Sequence, residues 1–202
     1  MTESENKTNF REEFEAHLNS PLPLIIRARN FIFGKERPDY YTQFSFYFAL
    51  VFWFIFFLWS ILGNLAISLR DWIQEEKKIN VTELIDKRGI ELGFEPMSFM
   101  GRLELFHSVS IFFWIATFLG LILLWRKNLK FVYFFFTGAV LYLLFMWVML
   151  GFGYWSKDTT LFDKITYFLM VGHTGVYAYF LKKEKEGQAF SFFGVDINDD
   201  ED

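Results

Sequence analysis

Glu104 and His107 stand three residues apart at the start of a long apolar run. That spacing puts a carboxylate and an imidazole on one face of a helix, the arrangement that di-iron bundles use twice, together with two further glutamates. This chain has no second copy, because the residue three before its other intramembrane histidine, His173, is Met170. A mononuclear metal would need a third or fourth ligand, and Asp163 is the one evident candidate. The expectation is therefore no metal and no cofactor. Glu104 and His107 read instead as hydrated groups at headgroup depth, with a proton relay or a ligand contact as the alternative. Asn64, with Ser60 and Ser68 on its face of the first span, completes a candidate polar cluster of Asn64, Glu104, His107 and Asp163 drawn from three helices.

His173 is the sharper residue. It lies in Gly172-His173-Thr174-Gly175, inside the last apolar run, where its small neighbours let another helix come close. Ionisable groups in a span are costly and suggest function by default. The plainer reading is a hydrogen bond to a neighbouring helix, and the other is proton transfer. A bis-histidine haem is not expected. His107 and His173 differ in depth by roughly 16 Å at about 1.5 Å rise per residue.

Other chemistry lacks its residues. Without cysteine there are no disulfides, thiolate metal sites, iron–sulfur clusters or cysteine nucleophiles. Three histidines are too few for a many-histidine hydroxylase centre. No phosphate-cradling glycine loop, zinc-protease pattern or row of gating charges occurs. A net charge of −4 argues against a nucleic-acid partner.

The elements that must position these groups are four aromatic-laden apolar stretches, at about residues 43–69, 105–125, 131–153 and 160–181. Each is near the ~20 residues that cross ~30 Å of hydrocarbon. The expected fold is an all-α polytopic membrane protein with four transmembrane helices. The 29 Phe, 7 Trp and 9 Tyr among 202 residues fit lipid-facing and helix-packing surface. Residues 1–40 form an N-terminal segment in which Phe10, Phe14 and Leu18 share one helical face. Its second part, around Arg27 and Arg29, is too short to span and mixes apolar bulk with charge, which predicts an amphipathic helix lying in the membrane interface. The transmembrane domain covers residues 41–181, with an outer loop at 70–104. In that loop Val81 to Arg88 can form a short helix, and Gly89, Gly93, Pro96 and Gly101 are expected to break the remainder. Arg126-Lys127-Asn128 makes the second and third spans a hairpin. An acidic tail, residues 182–202, carries an aromatic stretch at Ala189 to Val195 that reads as a docking segment or a disordered one.

Basic residues favour both termini inside: Arg27, Arg29, Arg126, Lys127, Lys130, Lys182 and Lys183 would then lie near cytoplasmic helix ends. No cleavable signal is visible, and a bacterial cytoplasmic membrane is the expected host. Apart from the lipid bilayer, the partners expected are other membrane-protein subunits. With no catalytic pattern, the leading expectation is an accessory or scaffold subunit of a larger membrane complex. The alternative is a small carrier or proton-coupled protein using Asn64, Glu104, His107, Asp163 and His173. Fold alone does not choose between them.

Overall fold

In the computed structural model of the chain, residues 22–34 and 37–185 are described. Every regular element among them is helical: α1 (Leu22–Phe33), α2 (Tyr40–Ser68), α3 (Arg70–Lys77), α4 (Val81–Glu91), α5 (Ser98–Trp125), α6 (Phe131–Lys157) and α7 (Leu161–Lys185). The amphipathic stretch expected within residues 1–20 and the tail beyond Lys185 lie outside the described residues. α1 belongs to a unit that ends at Pro38 and exposes Ile26, Arg27, Arg29 and Ile32. The remaining helices belong to a second unit that begins at Asp39.

Helices α2, α5 and α6 are each long and apolar enough to cross a membrane. α7 is comparable in length at 25 residues, but Thr166, Tyr167, His173, Thr174, Tyr177 and Tyr179 make it more polar, and it does not join that group. The spans also differ in extent from the hydropathy reading. α5 starts at Ser98 and runs through Gly101, and α4 runs through Gly89 to Glu91. The expected breaks at these two glycines do not occur. One interior glycine costs only about 1 kcal/mol, and Gly89 is held by packing, since a Cβ there would stand 2.4 Å from Phe99 Cβ. The chain breaks at Gly93 (φ 92), as expected, and at Met97, which takes φ 66 as the N-cap of α5. Asp86 accepts a hydrogen bond from the Met97 amide and secures that turn.

Each long helix begins and ends for a local reason. The Asp39 carboxylate caps α2, accepting from Thr42 N at 3.0 Å. α5 stops at Lys127, whose φ of 51 reverses the chain. There the Lys127 amide bonds Leu124 O and the Asn128 amide bonds Leu123 O, both at 2.9 Å. α6 carries one interruption, at Gly151, where φ 75 and ψ 160 leave the helical region. α7 opens on a capping box: Thr160 N donates to Asp163 Oδ2 at 3.0 Å, and Asp163 N to Thr160 Oγ1 at 3.1 Å.

α5 and α6 form a close antiparallel hairpin, α2 packs on α5, and α7 lies along α2. The hairpin is nearly backbone to backbone. A Cβ on Gly120 would come 2.6 Å from Phe135 N, and one on Gly138 would come 2.6 Å from Phe113 O. Such small-residue contacts drive helix association where lipid removes the hydrophobic incentive. Between α6 and α7 backbone contact is sparser, and aromatic side chains bridge the gap. Tyr167 donates to Ala139 O at 2.7 Å, and the rings of Phe131 and Tyr177 sit 5.7 Å apart. The outward faces are apolar, with Val51, Phe54, Phe112, Val148, Phe152 and Phe168 among the exposed large side chains. At one end of the hairpin α4 closes over α5 and α6 through Phe99, Phe106, Met146 and Leu150, with Ile85, Leu92 and Phe94 against them. Arg88 pairs there with Asp158 and Glu91, which raises its already high guanidinium pKa.

Candidate functional site

Polar side chains inside the long helices gather along two seams. The first joins α2 to α7 at the end that holds the α5–α6 turn. Its α2 side is Asp39, Thr42 and Ser45, at i, i+3 and i+6. Its α7 side is His173, Tyr177 and Glu184, at i, i+4 and i+11. These spacings place each set on one helix face. Thr42 and Ser45 are fully buried. Thr42 Oγ1 donates to Asp39 Oδ2 at 2.7 Å, so the Tyr177 hydroxyl, 3.0 Å from Thr42 Oγ1, is the donor in their contact. About one turn deeper, His173 Nε2 lies 3.1 Å from Ser45 Oγ. The imidazole is ringed by Tyr41, Phe44 and Phe48, with centroids 6.3, 5.5 and 4.7 Å away.

Three charges close the mouth of this seam. Lys127 Nζ lies 2.7 Å from Asp39 Oδ2 and 3.0 Å from Glu184 Oε1. One ammonium thus joins the start of α2, the α5–α6 turn and the last turn of α7. Burial alone would raise the Asp39 carboxyl, but the hydrogen bonds from Lys127 and Thr42 outweigh it and hold its pKa at about 2. Burial would lower the Lys127 ammonium, and its two carboxylate partners raise it instead. A carboxylate whose folded pKa is depressed stabilises the fold above its unfolded value of about 3.9 and loses that contribution as pH falls toward the folded value. We therefore expect Asp39→Asn to abolish an acid-dependent loss of stability between about pH 4 and pH 2. The group is largely exposed, so the effect is at most about 1 kcal/mol. Thermal melts of both proteins in detergent across that range would show it, and parallel pH profiles would refute it.

The second seam joins α2 to α5 near the opposite end. Asn64 Nδ2 donates to Ser108 Oγ at 2.5 Å. One residue before Asn64, Gly63 faces the ring of His107, where a Cβ would stand 2.4 Å from Cε1 and 2.6 Å from Nδ1. His107 Nδ1 is buried and has no hydrogen-bond partner among the described residues. Two turns further along α5, Trp114 Nε1 is in the same position, while Trp114 O accepts from Trp53 Nε1 at 2.7 Å.

Of the four residues in the expected cluster, Asn64 and His107 meet the same α2–α5 interface. Glu104 is on the exposed side of α5, and the Asp163 carboxylate is engaged in the capping box of α7. Among the described residues neither makes a hydrogen bond or ion pair with Asn64 or His107. No group of three metal-binding side chains occurs among the described residues.

Sequence reasoning singles out His173 but passes over Thr42, Ser45, Tyr177, Lys127 and Glu184 as members of one site. Their signal is present as polar residues at helical spacing on two different runs. What the sequence lacks is any sign that those two runs lie side by side. No family model matches the chain, and no curated protein or solved structure matches it either.

Proposed function

We propose that this chain is a non-enzymatic integral membrane protein that serves as an accessory or scaffold subunit of a larger membrane complex. One observation carries the reading: the polar side chains that reach beyond their own helix brace it against a neighbouring one. Thr42 with Tyr177, Ser45 with His173, Asn64 with Ser108, Tyr167 with Ala139 O and Trp53 with Trp114 O are all contacts between helices. A carrier needs such groups to face its cargo, whereas a scaffold needs them to hold its shape. The exposed apolar faces of α2, α5 and α6 offer area for lipid and for neighbouring subunits.

In this reading α7 crosses the membrane with α2, α5 and α6 as a four-helix bundle, its polar face turned inward against α2. Both termini are cytoplasmic, because the basic turn Arg126-Lys127-Asn128 and Lys182-Lys183 lie at one end of the bundle. The host is a cell membrane of the bacterial cytoplasmic type, and α1 lies in its inner interface with Arg27 and Arg29 toward headgroups. The cysteine-free chain suits thiol labelling. A cysteine at Asn128 labelled only from the outside would overturn this orientation.

A second reading, a small proton-coupled carrier, passes protons through His173 and draws also on the Nδ1 of His107 and the Nε1 of Trp114, which have no partner among the described residues. The variant His173→Gln separates the two. An amide can replace one hydrogen bond to Ser45, so under the scaffold reading we expect unchanged assembly and a melting temperature close to the parent. His173→Leu should be less stable by on the order of 1 kcal/mol, because Ser45 loses its partner. Proton flux in proteoliposomes that is present in the parent and absent in His173→Gln would favour the carrier.

A further inference from the structure

We propose that α7 is a releasable helix and that Lys127 is the latch that holds it closed over the α2–α7 seam. Helix α7 differs from its neighbours in how it is attached. The α5–α6 pair is locked by direct backbone approach at Gly120 and Gly138. On α7 the glycines make no such contact: a Cβ on Gly172 would meet nothing within 4 Å, and one on Gly175 would lie 3.7 Å from Phe136 Cζ. The turn-end half of α7 is held by the buried side chains of Tyr177 and Leu181, by ring contacts of Tyr177 with Tyr41 and Phe131, by the Thr42–Tyr177 and Ser45–His173 contacts, and at its mouth by the Lys127 pairs.

The latch spans the right parts. Lys127 sits in the turn of the hairpin, Asp39 caps the start of α2, and Glu184 lies in the last turn of α7. Releasing the ammonium breaks, at one stroke, the ion pairs that tie Glu184 in the last turn of α7 to the hairpin turn and the start of α2. Ser45, fully buried in the closed arrangement, then becomes reachable from water at that end. Asp39 and Glu184 are the carboxylates paired with Lys127, and both pairs are partly exposed. Screening by salt therefore weakens the latch, whereas neutral pH leaves it intact, because the Asp39 carboxyl is held at about 2.

The test uses the full chain in mild detergent, where both ends meet water and membrane orientation does not enter. Ser45→Cys reports opening of the seam through its reaction with a charged, water-soluble maleimide. Ser110→Cys, at a fully buried position on α5, reports loosening of the whole bundle. In the Lys127→Gln background we expect Ser45→Cys to react about tenfold faster, the effect of losing two partly screened ion pairs together. Ser110→Cys should stay protected, and Lys127→Arg should keep Ser45→Cys slow. Added salt should speed the reaction when Lys127 is present and do little in Lys127→Gln. Equal Ser45→Cys rates with lysine and glutamine at 127 would overturn the latch. Equal acceleration at Ser45→Cys and Ser110→Cys would overturn it too, since Lys127 would then stabilise the bundle without gating α7.

Discussion

Replacing Gly138 with valine is expected to disrupt the α5–α6 hairpin and, with it, the folded protein in detergent. A Cβ at this position would stand 2.3 Å from Thr117 Oγ1, 2.6 Å from Phe113 O and 3.0 Å from Thr117 N. The hydroxyl can rotate away by giving up its 2.9 Å bond to Phe113 O, but the other two atoms are backbone of α5. The helices must then separate, and the Gly120–Phe135 approach on the same interface opens with them. Overpacking a filled core costs about 1–3 kcal/mol, and a clash with a helix backbone belongs at the upper end or beyond. Gly172→Val, in open space on α7, controls for the change in helix propensity from glycine to valine and should melt near the parent. Thermal unfolding followed by circular dichroism would measure both. Equal melting temperatures for the two variants would contradict the close packing described for the hairpin.

Trp114→Ala should be nearly as damaging. Trp114 is completely buried, stacked on Phe56 at 5.3 Å and against Tyr142 at 4.7 Å, so it joins α2, α5 and α6. Removing a buried indole costs about 3–5 kcal/mol through lost contacts and the cavity left behind. Trp114→Phe divides the explanation. It keeps most of the ring but removes Nε1, which has no partner among the described residues. If the indole is there only for packing, phenylalanine should recover most of the stability lost in alanine. If it also donates to a transported molecule, phenylalanine should be stable yet lose transport.

These two positions differ in how far the sequence betrays them. The apolar runs that form α2, α5 and α6 are legible because about 20 apolar residues in a row have one natural solvent. The Arg126-Lys127-Asn128 turn is legible because it is too short for anything but a hairpin. Gly138 is not, since nothing near it in the chain says that Phe113 and Thr117 will press against it. Gly89 and Gly101 read as breaks, because local propensity is visible in a sequence and the packing of Phe99 on Gly89 is not. His173 stands out for the opposite reason: a lone imidazole in an apolar run is costly enough to demand a partner. That partner, Ser45, is silent by itself, since a serine in a span can bond its own helix, as Ser60 does to Phe56 O at 3.1 Å. Asp163 looks like a member of a cluster, whereas Thr160 three residues before it offers a nearer use for the carboxylate.

The central claim, that this chain is a subunit braced for assembly, is tested most directly by extracting it from its native membrane in mild detergent and measuring the mass and composition of what it travels with. The account predicts a particle much larger than the 24.2 kDa chain, with the same partner subunits in constant ratio, and retained in His173→Gln. A parent protein that emerges alone, and that carries proton-coupled flux in proteoliposomes, would contradict it.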